Sequence, residues 1–464
     1  MKMRKILYEV GSAGRNELML KISEELKKRM DHQVFFLCGK ENRNFLEQRI
    51  STDQICMLDT GGQTAIIQPD LLYLQQAEQK FGFNIWDSWE VSAQRKKSRR
   101  NLERDKILIW YEHILRQLEQ FIDKYKITDY VEYGPASYAS VIIMKVMEKK
   151  GVNIIELQSA PLQKRFAICN SLRNNWPELS KNYRELKKNG LTEKEKAEVV
   201  SILEQYHTKH LKPDCAVSYS EQKLHKAFRY SKIGYRMIRE WHFPPTFRPL
   251  FWGVIQKAYD RMGIFENPVP GEKYILYPLH FQPEAATLIY GKWYNNQLHL
   301  LENLVRSLPV GYKLYVKEHS YGYGNRSLKF CKEIRKYANV RLITPHVNSL
   351  ELIEKASLIV TITGTPGWES LMFQKPPLIF GNIFYDIFDC AHKVEKIEDL
   401  PEMIRNLLDQ KINHEEILII LAAMLKSTYP GLARLPSDCN CHSLEEENIQ
   451  LLAQGIDSYI ASLN

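Results

Sequence analysis

The chain has 464 residues, 44% of them hydrophobic and 26% charged, with a formal net charge of +9. That length exceeds one ordinary core and fits two domains, and the balance is that of a globular chain rather than a disordered or fibrous one. No run approaches the roughly 18 apolar residues that span a bilayer, no zinc-finger or RNP-like motif accompanies the basic excess to read nucleic acid, and eight scattered cysteines point to reduced thiols in the cytoplasm rather than to a disulfide framework.

Residues 5–10 (KILYEV) form an apolar run closed by Gly11-Ser12-Ala13-Gly14. The run is too short for a signal-peptide core and reads as a first buried strand. A helical pattern over 17–29 and a strand at Val34–Leu37 follow, which is a βαβ opening and implies a parallel sheet. Residues 53–100 are less regular and contain Gly61-Gly62 and the basic run Arg95–Arg100, the latter reading as a solvated helix face. The stripe Ile107, Leu108, Tyr111, Ile114, Leu115, Leu118 and Ile122 predicts a helix over 101–125. A strand at 129–133 (DYVEY) ends at Gly134-Pro135; a helix over 137–149 and a strand at 153–157 (NIIEL) come next. Thr192 with Glu195 is a capping box that starts a helix over 193–208, and Ala216–Ser218 reads as a last strand. Between 225 and 270 aromatics alternate with arginines and Pro244-Pro245 breaks any helix, so this is the expected linker region. Its 225–252 stretch also suits peripheral membrane contact, with packing between domains as the plainer reading.

A second alternating series begins at 273. Its strands are expected at 273–277, 313–317, 340–343, 357–361 and 377–380, with helices over 294–307, 327–337, 348–355 and 367–373, the pattern of a doubly wound sheet. Ser443 with Glu446 resembles another capping box and predicts an amphipathic helix to Leu463. The expected class is α/β with two Rossmann-like domains, 1–224 and 271–464, joined by residues 225–270 and closed by the C-terminal helix.

In open parallel sheets, ligands bind at the carboxyl ends of the strands. Those ends carry His280, Gln282 and Glu284, then Lys317 and His319, then Thr344-Pro345-His346, then Thr363-Gly364-Thr365 with Glu369 one helical turn on. The Thr-Gly-Thr turn opening into Pro366 offers backbone N–H groups to a phosphate. Lys317 and His319 add charge-assisted donors, and Glu369 suits a ribose hydroxyl pair. Gln282 and Glu284 suit a base or sugar edge, and His280 a proton donor or phosphate partner. Glu132, at the end of the strand at 129–133, is the candidate general base or nucleophile on the acceptor side; a salt-bridged rim residue is the bland reading. Arg15 beside the first glycine turn suits an acidic acceptor. The Cys439–His442 cluster lacks a second half at zinc-ligand spacing, and no metal is expected.

Three segments resemble the bacterial capsule polysaccharide biosynthesis family, which includes the Kdo transferases of capsule assembly. They are Tyr277–Glu284 (YPLHFQPE), Tyr315–His319 (YVKEH) and Thr363–Glu369 through Phe380-Gly381. The resemblance implies a GT-B glycosyltransferase that needs no metal and no cofactor. Its donor would be a nucleotide sugar such as CMP-Kdo, and its acceptor a glycan or a lipid-linked glycan. The wider group of CMP-sugar transferases carries a His-Pro pair at the nucleotide phosphate; here His319 is followed by Ser320. A nucleotide-sugar epimerase-like enzyme and a non-catalytic scaffold of an assembly complex are the alternative readings. Nucleic acid is not an expected partner.

Overall fold

The computed structural model describes residues 3–11, 13–58, 68–95, 102–134, 138–208, 259–319, 326–408, 410–433 and 443–463. The expected strand at 216–218, the stretch at 225–252, nearly all of the basic run, Gly61-Gly62, Ser320 and the Cys439–His442 cluster lie outside them. Contacts divide the chain into two compact units, one of Met1–Leu179 with Lys426–Asn464 and one of Ser180–Leu425. Each unit is a Rossmann-like α/β layer structure built on its own sheet.

The first unit contains β1 (Arg4–Glu9), β2 (His32–Gly39), β3 (Ile55–Leu58), β4 (Asp129–Glu132), β5 (Asn153–Ser159) and β6 (Arg165–Cys169). The second contains β7 (Tyr274–Pro278), β8 (Lys313–Lys317), β9 (Val340–Ile343), β10 (Leu358–Thr361), β11 (Pro377–Ile379) and β12 (His392–Lys393); β13 (Tyr429–Pro430) returns to the first. In the first sheet the order is β13-β6-β5-β4-β1-β2-β3. Strands β3 to β5 run parallel, while β6 pairs antiparallel with β5, and β13 with β6.

Alternation with period two sorts the side chains of the central strands. Leu7, Tyr130 and Ile154 pack under the helices at 71–81, 85–95, 104–125 and 138–149. Ile6, Tyr8, Val131 and Ile155 pack under the helix Ala13–Arg29 and the C-terminal helix Glu446–Ser462. With helices on both faces, the strands are apolar throughout rather than alternating, which is why they stand out in the sequence. The C-terminal helix lies against Ala13–Arg29 and approaches the sheet so closely that a Cβ at Gly455 would sit 2.5 Å from the Phe166 ring. Its start differs from expectation: Glu445 is the N-cap, no side chain caps the helix, and Ser443 lies outside it. The Thr192 capping box forms as expected, with Glu195 N–H bonded to Thr192 Oγ1 and the Glu195 carboxylate reaching back to Thr192 N–H.

The second sheet has the order β12-β11-β10-β7-β8-β9, all parallel. Numbered from β7, this is 3-2-1-4-5-6, the Rossmann order, with its switch point between β7 and β10. The helix Glu193–His207 belongs to this unit. Its Tyr206 hydroxyl accepts from the buried Trp368 indole N–H at 3.0 Å, and His207 bonds the Met372 carbonyl at 2.9 Å. Expecting residues 1–224 as one domain and 271–464 as another places that helix and the C-terminal tail differently, because sequence proximity does not reveal which sheet a helix covers. Among the described residues no helix is long and apolar enough to cross a membrane.

Candidate functional site

The switch point of the second sheet brings together the carboxyl ends of β7 and β10. His280 follows β7 and Thr363 follows β10; they are 83 residues apart, yet Thr363 N–H donates to His280 Nε2 at 3.2 Å. Gly364 N–H donates to Thr361 Oγ1 at 2.9 Å. Two of the amides expected to meet a phosphate are therefore engaged within the turn. The helix Thr365–Met372 starts from Gly364, which supplies no side-chain cap; Pro366 has no N–H and Gly367 N–H donates to the Gly364 carbonyl at 3.1 Å, so the donor its first turn can offer a ligand is the Thr365 amide.

His280 is 8% exposed. Burial, then the neighbouring His319 and Arg326, lowers its pKa to about 3, so the ring is neutral. Since Nε2 accepts a bond, the ring proton sits on Nδ1, and Nδ1 is a buried atom with no hydrogen-bond partner. A buried N–H without an acceptor costs on the order of 1–3 kcal/mol. Such a donor at a switch point is suited to a ligand oxygen. The loop holding His280 is braced by Gln297, which accepts from His280 N–H at 2.8 Å and donates to the His280 carbonyl at 3.0 Å.

Gln282 takes part in this brace: its amide donates to the Asn295 carbonyl at 2.7 Å and accepts from Gln297 at 2.8 Å. Its polar atoms hold the loop, and the peptide to Pro283 is cis. Glu284 is exposed on the same loop.

Lys317 ends β8 and is 5% exposed; its ammonium lies 3.4 Å from the Pro345 carbonyl. Burial lowers its pKa to about 8, opposed by the charges of Glu318 and Glu369. Glu369 is buried in its helix, and burial pushes it up to about 7, with Lys317 pulling the other way. The two groups are coupled across the site and both sit within reach of neutral pH. His319 is exposed as a residue, and its ring centroid lies 6.0 Å from that of Phe281. Crowding by the surrounding protein, then Lys317 and Arg326, holds its pKa below the ordinary value. Its backbone N–H donates to Glu318 Oε1 at 2.8 Å. Thr365 and His346 are exposed.

Arg326 was not singled out by sequence, because no motif surrounds it and its partners lie far away in the chain. Its guanidinium donates to the His280 carbonyl at 2.6 Å and lies 3.0 Å from the fully buried Glu318 carboxylate. It ties the loop after β7 to the end of β8. Gly381, at the end of the third motif, is fixed by space: a Cβ there would meet Thr363 Cγ2 at 2.4 Å and the Tyr290 carbonyl oxygen at 2.9 Å.

In the first unit the switch point lies between β1 and β4, the strands at which the order reverses. Glu132 is fully buried there. It pairs in register with Glu156 of β5, and Glu9 ends β1 beside it. Arg15 extends from the first turn of the helix Ala13–Arg29, donating to the Tyr133 carbonyl at 2.9 Å and lying 3.9 Å from Glu9. Glu9, which closes β1, and Glu156, within β5, carried a sequence signal, a carboxylate in an apolar strand, that becomes informative only once the strands are adjacent. Among the described residues, no group of three or more His, Cys, Asp or Glu side chains is disposed to hold a metal ion.

The family model of capsule polysaccharide biosynthesis proteins matches residues 270–398, so the resemblance read from the three motifs holds over the segment that carries the second switch point. A comparison with curated proteins gives no match. Solved structures that align include the β-Kdo 2,7 transferase of KpsC from Thermosulfurimonas dismutans, 13% identical over 73% of this chain and 89% of that one, TM-score 0.38. The β-Kdo 2,4 transferase of the same protein is 14% identical over 66% and 82%, TM-score 0.35. The UDP-GlcNAc 2-epimerase of Methanocaldococcus jannaschii is 14% identical over 88% and 94%, TM-score 0.26. At such scores these likenesses carry no argument about function.

Proposed function

We propose that this chain is a GT-B glycosyltransferase of bacterial surface-polysaccharide assembly. It transfers a sugar from a nucleotide donor, CMP-Kdo or a similar CMP-sugar, to a glycan or lipid-linked acceptor, on the cytoplasmic side of the membrane. The observation that carries the reading is the neutral His280 bridged to Thr363 across the second switch point, with its Nδ1–H left as a buried donor, inside the segment that matches the capsule family.

In this reading the nucleotide phosphate lies against His280 Nδ1–H, His319 and the first turn of the helix after Gly364, with Thr363 and Thr365 framing it. Lys317 supplies positive charge as the phosphate leaves. Preorganised donors and a buried ammonium stabilise that charge without help from a metal ion. Glu369 accepts from the ribose, Gln282 shapes the loop beside the base and Glu284 offers its edge. Glu132 provides the carboxyl function of the acceptor side.

The test is thermal stabilisation by CMP, CDP, UDP, GDP and dTDP, each with and without magnesium. A ligand that binds only the folded state, present at 100 times its Kd, adds about 2.7 kcal/mol to stability. Stabilisation by CMP without magnesium is the expected result. Stabilisation by UDP or GDP alone overturns the CMP-sugar donor, and no shift with any nucleotide overturns the transferase reading in favour of a scaffold.

A further inference from the structure

Tyr385 lies beyond the last sequence motif, in a stretch whose pattern does not mark it, yet it is fully buried at the carboxyl edge of the second sheet. Past the end of β11, Phe380 N–H donates to the Thr361 carbonyl and Gly381 N–H to the Ile362 carbonyl at 2.8 Å. These bonds carry the chain alongside the Thr363-Gly364-Thr365 turn. It then folds back between Asn382 and Asp386, where Asp386 N–H donates to the Ile383 carbonyl at 3.0 Å. Lys393, at the end of β12, closes this fold by donating to Asn382 Oδ1 at 2.6 Å and to Asp386 at 3.3 Å. The Phe384 ring packs edge-on against Tyr385 and tilted against the buried Trp368. So held, the Tyr385 hydroxyl donates to the Gly364 carbonyl at 2.5 Å. Burial, then Asp386 and Glu369, raises its pKa well above the ordinary phenol value, and the donor keeps its proton.

The Gly364 carbonyl belongs to the same peptide as the Thr365 N–H. A trans peptide is planar, with C=O and N–H antiparallel, so what fixes the carbonyl aims the amide. This carbonyl accepts from both Tyr385 and Gly367 N–H, and each bond polarises the peptide and strengthens its N–H as a donor. That N–H is the one the first helical turn offers a ligand. A second, independent mark of a ligand stands on the same turn. His280, 8% exposed, accepts from Thr363 N–H and keeps a buried Nδ1–H with no acceptor among the described residues. Gly367 completes the device. A Cβ there would lie 2.2 Å from the Tyr385 hydroxyl oxygen, so only glycine lets the phenol reach the carbonyl, although helix propensity alone favours alanine.

We propose that Tyr385 is a positioning residue of a phosphate subsite. Its hydroxyl, admitted by Gly367, aims and polarises the Thr365 amide toward a nucleotide phosphate oxygen, and the tyrosine itself touches no ligand. The phosphate half of this inference rests on the transferase reading; the coupling of Tyr385 to the Gly364–Thr365 peptide does not.

Gly364-Thr365 is the one Gly-Thr step in the sequence. Carbon-13 at glycine carbonyls and nitrogen-15 at threonine amides therefore give this peptide its own NMR signal. In Tyr385→Phe the Gly364 carbonyl carbon and the Thr365 amide proton should both move upfield as the hydrogen bond is lost. Gly367→Ala should move them the same way by displacing the ring. Phenylalanine keeps the packing, so Tyr385→Phe stays readable if Gly367→Ala does not fold. A signal unmoved by Tyr385→Phe overturns the coupling. Adding CMP to the wild type should shift the Thr365 proton downfield, while cytidine, which lacks the phosphate, leaves it in place; UDP with uridine and GDP with guanosine are compared in the same way. Tyr385→Phe should bind the nucleotide about tenfold more weakly, the factor of one ordinary hydrogen bond. A nucleotide that stabilises the protein yet leaves the signal unmoved, or binds Tyr385→Phe as tightly as wild type, overturns the phosphate role. Failure of every nucleotide to bind overturns that role together with the transferase reading, while the peptide signal still decides the coupling.

Discussion

The two units share a strand order around their switch points and differ in what they place there. The second sheet gathers His280, His319, Lys317 and Arg326, with the buried carboxyls Glu318 and Glu369 beside the two cations. The first gathers Glu9, Glu132 and Glu156 with one arginine at the edge. The shared topology decides which strand ends meet, and the side chains at those ends decide the charge that gathers there.

The largest expected effect is on the arginine that pairs with a fully buried carboxylate in the second unit. Arg326→Ala strips the fully buried Glu318 of its partner, and breaking such a pair costs about 3–5 kcal/mol. Chemical denaturation should show that loss, and a stability within experimental error of wild type would mean that Arg326 merely covers the loop. Next comes His280→Ala, which leaves the Thr363 N–H without its acceptor and deletes the orphan donor. Stability should fall by about 1–3 kcal/mol, and the stabilisation conferred by CMP should largely disappear. Retained nucleotide stabilisation in the folded variant would move the phosphate away from this crevice. The smallest effect is the control outside both crevices. Thr192→Ala removes one capping box at a cost of about 1 kcal/mol, with the ligand response unchanged; altered nucleotide response there would mean that ligand shifts report general stability rather than either site.

The N-terminal helix cap at Thr192 and the strands from β7 to β11 were legible because their signals are local. A capping box spans four residues, and a strand covered on both faces is a short continuous apolar run. The weak elements escaped for the same reason: β12 and β13 are two residues each and exist only by pairing with a neighbour. The candidate residues of the second unit lie at or just after strand ends, which is legible because the strands they follow are recognisable. Their engagement was not legible. Gln282 turned out to brace its loop, Thr363 and Gly364 to spend their amides inside the turn, and Arg326 to sit beside them across 46 residues.

By itself the sequence determined two alternating α/β series, the ends of their strands, and the motifs that resemble capsule polysaccharide enzymes, since hydrophobic period, capping residues and motif spacing are written in neighbouring positions. Tertiary structure alone decided which strand lies beside which. That order put Glu9 next to Glu132 and His280 next to Thr363, and with it set which carboxyls share a buried space and which imidazole nitrogen keeps its proton. Charge state and hydrogen bonding depend on distances of a few ångströms between residues far apart in the chain, and only the folded sheet fixes those distances.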